Sequence, residues 1–331
     1  MSLVEPPSAV ADAADGATRW VTDGPYDLHQ TLGILLRSNS DPSIAVHPDG
    51  WWMAFSTVDG PVTLRLVQGP PEVSGAQVID AQAWGPGAAS ALDNLSALLG
   101  EGDSWSDFDA GTSPSGTPFP TPLPHHVLEA RRRNKGLRLP STGRIVDSLV
   151  PTILEQKVTV IEARRGYRYL VRRYGSVAPG PAPEGLLVAP SPTDWLAVPS
   201  WEWHKAGVGP QRSATVMRAL RSAVALERLA LLPSAEASAK LQTIPGVGQW
   251  TAAEVLQRTH GCSDSIAVGD YHLAKFVGFA LTGQRTDDAG MLALLEPWRG
   301  HRQRVVRLLG LTGARAPRFG ARMSIQDHRG H

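Results

Sequence analysis

The chain has 331 residues, 42% of them hydrophobic, and a formal net charge of +1, enough for two or three packed units of an ordinary globular protein. Its single cysteine, Cys262, excludes an internal disulfide, a four-cysteine zinc site and a four-thiolate iron–sulfur cluster, and suits a reducing cytoplasm. Residues 1–20 lack the basic and apolar regions of a signal peptide, and no run of about 18 apolar residues occurs, so no membrane association is expected.

The small net charge conceals an asymmetry. Residues 1–110 contain Arg19, Arg37 and Arg65 against acids that include Asp12, Asp15, Asp23, Asp27, Asp41, Asp49 and Asp59. A dense basic run from Arg131 to Arg173 is opposed by Asp147, Glu155 and Glu162, and further arginines extend from Arg299 to Arg329. A basic back half suits either a polyanionic partner or a set of solvated helix faces.

Residues 1–20 read as a loosely packed N-terminus and 21–104 as an antiparallel sheet domain with a helix. Apolar and β-branched runs at 44–46, 51–55, 62–67 and 73–79 are separated by Pro48-Asp49-Gly50 and Asp59-Gly60-Pro61, both strong turn signals. Residues 28–36 suit a strand or a helix. The stripe Ala91, Leu92, Leu95, Leu98 and Leu99 predicts a helix over 88–99 that stops at Gly100. Residues 105–130 have the Pro, Ser and Gly content of a linker. His125 and His126 lie there without the spacing of metal ligands on one helix face.

A helical unit is expected over 131–312, followed by a basic tail at 313–331. Ile145, Leu149, Ile153 and Leu154 mark one helix, with Pro151 as a kink point, and residues 160–174 a second that stops at Gly175. A loop over 175–192 follows, then a short helix capped by Ser191, a basic amphipathic helix over 211–229 and a helix capped by Ser234.

The most informative stretch is LQTIPGVGQWTAAEVLQRTHG, residues 241–261. A helix ends near Leu241, a tight turn holds Pro245, Gly246 and Gly248, and a second helix opens near Gln249. Its free amides, backed by the helix dipole, suit a phosphate oxygen, and two glycines let a strand approach the backbone. The pattern is not a dinucleotide fingerprint, because no buried strand precedes it and Thr251 stands where a third glycine is needed. It joins two helices, with or without a ligand. Read functionally, it is the helix-hairpin-helix grip on a DNA backbone. Asp270 precedes the next amphipathic helix (Leu273, Phe276, Val277, Ala280, Leu281), as a plain cap would. One intervening helix of about three turns returns that carboxylate toward the gripped strand.

The hairpin together with Val268-Gly269-Asp270 resembles the HhH-GPD superfamily of DNA glycosylases, and within it the AlkA-type 3-methyladenine DNA glycosylases. Leu154-Glu155-Gln156-Lys157-Val158-Thr159, Glu296-Pro297-Trp298-Arg299 and Pro25-Tyr26-Asp27 extend the likeness over about residues 25–312. It implies an α+β protein, an antiparallel sheet domain packed on an all-helical glycosylase core. It also implies a monomer acting in the cytoplasm on double-stranded DNA that contains damaged bases, with no protein partner and no membrane.

By the same resemblance, Asp270 stabilises the oxocarbenium ion formed as the base departs, and Gly246, Gly248, Gln249 and Thr251 hold the DNA backbone. Trp250 occupies the position of the lysine nucleophile of bifunctional members, which implies a monofunctional enzyme that leaves an abasic site. Trp250 is then either a wall of the base pocket or a core residue. Gln156, Lys157, Glu254 and Arg307 fall at base-pocket or wedge positions, and Glu254 and Arg307 replace expected aromatics. The implied substrate is an alkylated purine, with a neutral lesion such as hypoxanthine, or DNA binding without catalysis, as alternatives. No organic cofactor is implied. A structural Na or K ion on the carbonyls of Gln242, Ile244 and Val247 is.

Overall fold

The computed structural model describes residues 13–22, 24–72 and 75–314. Strands β1 (Gly16–Thr22), β2 (Ile44–His47), β3 (Gly50–Thr57), β4 (Gly60–Gln68) and β5 (Gln77–Trp84) form one antiparallel sheet in the order β1-β5-β4-β3-β2. β2 to β5 are a meander, and β1 adds at the edge by pairing with β5, from Gly16 opposite Ala83 to Thr22 opposite Gln77. Residues 16–20 are thus part of the sheet, not a loose terminus. Residues 1–12 of that segment lie outside the described residues, as do 315–331 of the basic tail.

Strand β3 reads GWWMAFST because both of its faces are covered. Trp51, Met53 and Phe55 face one core with Val62, Leu64 and Leu66 of β4. Helix α1 (Leu28–Leu32), α2 (Ala88–Asp93) and α3 (Leu95–Leu98) close that side. The ambiguous stretch 28–36 is helical at its start because Asp27 caps it, accepting the Gln30 N–H at 2.8 Å. On the opposite face Trp52 stacks on Trp84 at 5.6 Å and packs against Ala178, Leu186 and Val188. Those last residues belong to the stretch expected as a loop, which instead carries a two-stranded ribbon, β6 (Ser176–Val177) and β7 (Leu187–Val188).

The segment expected as a linker is packed. α4 (Ser106–Ala110) and α5 (His125–Arg133) lie in it, and Trp105, Phe108, Leu123 and Val127 are buried with Ile266, Met291, Trp298 and Val305. Sparse large anchors in a Pro- and Ser-rich background dominate here, because each buried aromatic side chain contributes roughly 1.5–3 kcal/mol. One lobe of the helical region is therefore built from two distant parts of the chain, 105–137 and 266–309.

The other lobe comprises α6 (Ile145–Leu154), α7 (Val160–Tyr174), α8 (Pro192–Ala197), α9 (Ser200–Lys205), α10 (Pro210–Leu220), α11 (Ala223–Glu227), α12 (Ser234–Leu241) and α13 (Gln249–Thr259). Pro151 sits inside α6 without ending it. The Glu227 carboxylate closes the helix's N-terminus by accepting the amides of Ile145 (2.8 Å) and Val146 (2.9 Å). Ser191 caps α8 in a capping box with Asp194. Ser234 is the first residue of α12 and not its cap, and the single helix expected over 211–229 is broken after Leu220. The chain then passes into α14 (Leu273–Thr282), α15 (Asp288–Leu295) and α16 (Arg302–Leu311), which complete the first lobe. None of the described helices is long and apolar enough to cross a membrane.

Asp103 joins sheet domain and lobe. One carboxylate oxygen pairs with Arg304 of α16, and the other accepts Trp105 Nε1–H (2.7 Å) and the Leu139 amide (2.8 Å). Both charged side chains of the pair are buried, at 7% and 4% exposure. Replacing Asp103 with Ala should therefore cost about 3–5 kcal/mol, because Arg304 is left charged and desolvated. The midpoint of urea unfolding measures this, and a loss under about 1 kcal/mol contradicts the assignment.

Candidate active site

The turn between α12 and α13 is built around Gly246, whose φ of +99° is rarely accessible to a residue with a side chain. A Cβ there would also meet the Thr215 side chain, with Cγ2 2.8 Å away. Val247 is buried and closes the turn by donating its amide to Ile244 O at 2.9 Å. Two side chains brace the turn from outside: Arg218 donates to Pro245 O, and Gln156 Nε2 donates to Gly246 O (2.9 Å) and Thr251 Oγ1 (2.8 Å). Gln156, expected at the base pocket or wedge, is thus a tie between α6 and the hairpin.

Gly248 is exposed, has an ordinary φ of −103° and has open space where a Cβ would stand. The first intrahelical bond of α13 runs from the Ala252 amide to Gly248 O (3.0 Å). The amides of Gln249, Trp250 and Thr251 are left without intrahelical acceptors, and no side chain caps the helix. The result is a row of donors at the positive end of a helix dipole, in front of a glycine that admits close approach.

Asp270 lies beside this row. Its Oδ1 accepts the amides of His272 (2.8 Å) and Leu273 (2.9 Å), so the carboxylate caps α14. Its Oδ2 accepts Trp250 Nε1–H at 3.2 Å and is the oxygen free of the cap. Trp250 is half-buried, with its ring N–H directed at the carboxylate. Asp288, at the start of α15, accepts the Gly269 amide (3.2 Å) and fixes the backbone next to Asp270.

Glu254 follows Trp250 by one turn on α13. Its charge is matched by Arg258, with Nη1 2.8 Å from Oε2, and Arg258 Nε also donates to Ile34 O (3.2 Å) in the N-terminal domain. Arg307 of α16 donates to Gln30 O at 2.9 Å. Burial, and then the like charge of Arg258, push its pKa down to about 10, so it remains a cation at neutral pH. Lys157 stands exposed on the loop between α6 and α7, with a φ of +53°. Val160 and Ile161 beside it are exposed apolar residues.

The structure brings Trp250, Asp270, Glu254 and the open amides of α13 to one side of the hairpin. Arg307 lies near enough to Arg258 for their charges to oppose each other, whereas Lys157 is exposed on the loop after α6. Asp288, Arg258 and Gln30 were not among the residues singled out from sequence. Arg258 was legible as an i,i+4 partner of Glu254, whereas the other two meet the site only through tertiary contacts. Among the described residues, no three His, Cys, Asp or Glu side chains form a cluster suited to a metal.

No protein-family model matches the sequence, and neither does any curated protein. Solved structures do resemble the fold. The 3-methyladenine DNA glycosylase from Archaeoglobus fulgidus superposes with a TM-score of 0.69 over 89% of this chain and 98% of its own, at 15% identity. The 8-oxoguanine glycosylase/lyase of Clostridium acetobutylicum in its apo form gives 0.63 over 91% and 99%, at 10% identity. The same enzyme, in complex with double-stranded DNA containing cytosine opposite 8-oxoguanine, gives 0.57 over 89% and 97%, at 11% identity. The resemblance read from the hairpin and Asp270 thus holds for the architecture of nearly the whole chain, which has the fold of the DNA glycosylases.

Proposed function

We propose that this protein is a monofunctional DNA N-glycosylase of base excision repair, which hydrolyses the N-glycosidic bond of a damaged purine flipped out of double-stranded DNA. The observation that carries the reading is the placement of Asp270 Oδ2 against Trp250, one residue into the open N-terminus of α13. A phosphate held by the amides of Gly248, Gln249 and Thr251, with Gly246 shaping the turn, brings the adjoining sugar toward that oxygen.

Chemistry then follows from charge. The C1′–N bond breaks with its electron pair moving to the base, and Asp270 stabilises the positive sugar. Water adds to C1′ and gives its proton to Asp270 or to solvent. Trp250 offers no amine, so no Schiff base forms. Lys157 enters the gap left by the flipped nucleotide, assisted by Val160 and Ile161, which supply the apolar surface that stacked bases favour. The enzyme acts as a monomer in the cytoplasm, where its lone thiol stays reduced. A monovalent ion on the carbonyls of Gln242, Ile244 and Val247 would add positive charge behind the phosphate.

Two substrate classes compete. An alkylated purine is favoured by Trp250, an electron-rich face for a cation, and by the likeness to the archaeal 3-methyladenine glycosylase. A neutral lesion is favoured by the Glu254–Arg258 ion pair, which cancels the acid that would attract a cationic base.

Duplexes with single defined lesions test the reading. Asp270→Asn should reduce base release by more than about a thousandfold while binding to abasic DNA persists, and unchanged release removes Asp270 from the mechanism. Borohydride should trap no covalent complex, and a trapped adduct contradicts the monofunctional assignment. The two glycines should separate in effect. Gly246→Ala should destabilise the fold by about 1–3 kcal/mol, whereas Gly248→Ala should leave stability within about 0.5 kcal/mol and weaken DNA binding, since its Cβ stands before the amides. Thermal melting and a binding titration read both, and unaltered DNA affinity of Gly248→Ala argues against the phosphate site.

A further inference from the structure

Among the described residues, Lys157 alone combines a side chain with a left-handed backbone, at a φ of +53°. Such a conformation persists where the surroundings over-determine it. Three neighbours do so here. Gln156 Nε2 ties the segment to the hairpin through Gly246 O and Thr251 Oγ1. Thr159 opens α7 in a capping box, its amide donating to Glu162 Oε2 at 2.9 Å. Glu155 is the C-cap of α6, and its carboxylate is held from the sheet domain.

That hold is a single side chain. Arg37 Nη1 donates to Glu155 Oε2 (2.8 Å), while Nη2 donates to Ser148 O (3.2 Å) and Thr152 Oγ1 (3.0 Å). Residues 148, 152 and 155 share one helix face, so one guanidinium spans the last two turns of α6. The pair is buried, at 9% and 17% exposure, so salt screens it little. Asp41 fixes the base of the arginine by accepting the amides of Arg37 (3.3 Å) and Ser43 (2.9 Å). The same loop also meets α7, where Arg168 donates to Ser40 Oγ, and β7, where the Leu187 amide donates to Pro42 O (2.7 Å). Both helices that flank Lys157 are thus tied to residues 37–43 of the sheet domain.

We propose, resting on the glycosylase reading above, that Arg37 is a positioning residue for base flipping, whose ion pair with Glu155 sets where Lys157 enters the gap left by the extruded nucleotide. Lys157 follows Glu155 by two residues, so a tilt of the last turn of α6 displaces it directly. A displacement of about 1 Å can cost on the order of a hundredfold in rate. Among the described residues, neither Arg37 nor Glu155 hydrogen-bonds Trp250 or Asp270. The cost therefore falls on extrusion of the nucleotide and not on the bond-breaking step at C1′.

The test is single-turnover base release from duplexes carrying hypoxanthine, 8-oxoguanine or 7-methylguanine, using the base that the wild type releases fastest. Each lesion is placed opposite cytosine or opposite an abasic-site analogue, where no partner base resists extrusion. Arg37→Met combined with Glu155→Gln removes both charges together and leaves no orphan in the interior. This variant should slow release opposite cytosine by about tenfold or more, and opposite the abasic analogue by less than about threefold. Lys157→Ala should give the same pattern, and joining it to the double variant should cost little more, since both act at one step. Thermal melting confirms folding. Arg37→Lys keeps a charge beside Glu155 but loses the fork to Ser148 and Thr152, so it carries the test if the double variant does not fold. Equal slowing on the two kinds of duplex marks a plain tie between domains and overturns the positioning role, as does unchanged release on both. The glycosylase reading stands in either case. Release of no base from any duplex by the wild type overturns both.

Discussion

A carboxylate has two oxygens, and Asp270 puts them to different uses. Oδ1 is committed to the amides that open α14, which fixes the group in position and orientation. Oδ2 is left to face Trp250 and the space before the hairpin. An aspartate on a loop would sample several rotamers, and a charge that must meet a fleeting cation gains from having been oriented beforehand. The brace continues behind it, where Asp288 holds the Gly269 amide from the start of α15. Capping and chemistry are therefore not rival explanations of this residue. The cap supplies the rigidity that the proposed chemistry requires.

The same economy runs through α13. Its first turn offers unpaired amides, its inward face enters the hydrophobic core through Ala252, Val255 and Leu256, and a third face carries Trp250, Glu254 and Arg258. One helix thus relates the open amides, the tryptophan that meets Asp270 and the Glu254–Arg258 pair by fixed axial steps. The N-terminal domain reaches the same helix through the carbonyls of Ile34 and Gln30, each taken by an arginine. The sheet domain is thereby tied to α13 and α16 through its main chain.

Much of this was legible in the sequence, for reasons specific to each element. The hairpin announced itself because a φ of +99° at Gly246 leaves few alternatives to glycine. The strands were marked by their turns. The Pro- and Ser-rich stretch 105–130 misled because composition averages over the few residues that matter, Trp105, Phe108, Leu123 and Val127, all buried. β1 was missed because GATRWVT is an edge strand with only scattered burial, so its alternation is faint. Glu254 falls where an aromatic is expected, and its i,i+4 spacing from Arg258 already signals the ion pair. Gln30 carries no local signal at all, since its contacts are to Asn134 and Arg307, far away in the chain.

The lobe that carries Asp270 is assembled from residues 105–137 and 266–309, with the whole of the other lobe intervening. As the polypeptide leaves the ribosome, Trp105 and Phe108 must therefore wait through roughly 190 residues of synthesis before Met291 and Trp298 arrive to cover them. During that interval the first lobe is an incomplete apolar surface, and its closure is a long-range event of the kind that slows folding. The lobe that carries Asp270 is thus the last to become solid, while the hairpin already belongs to a finished core.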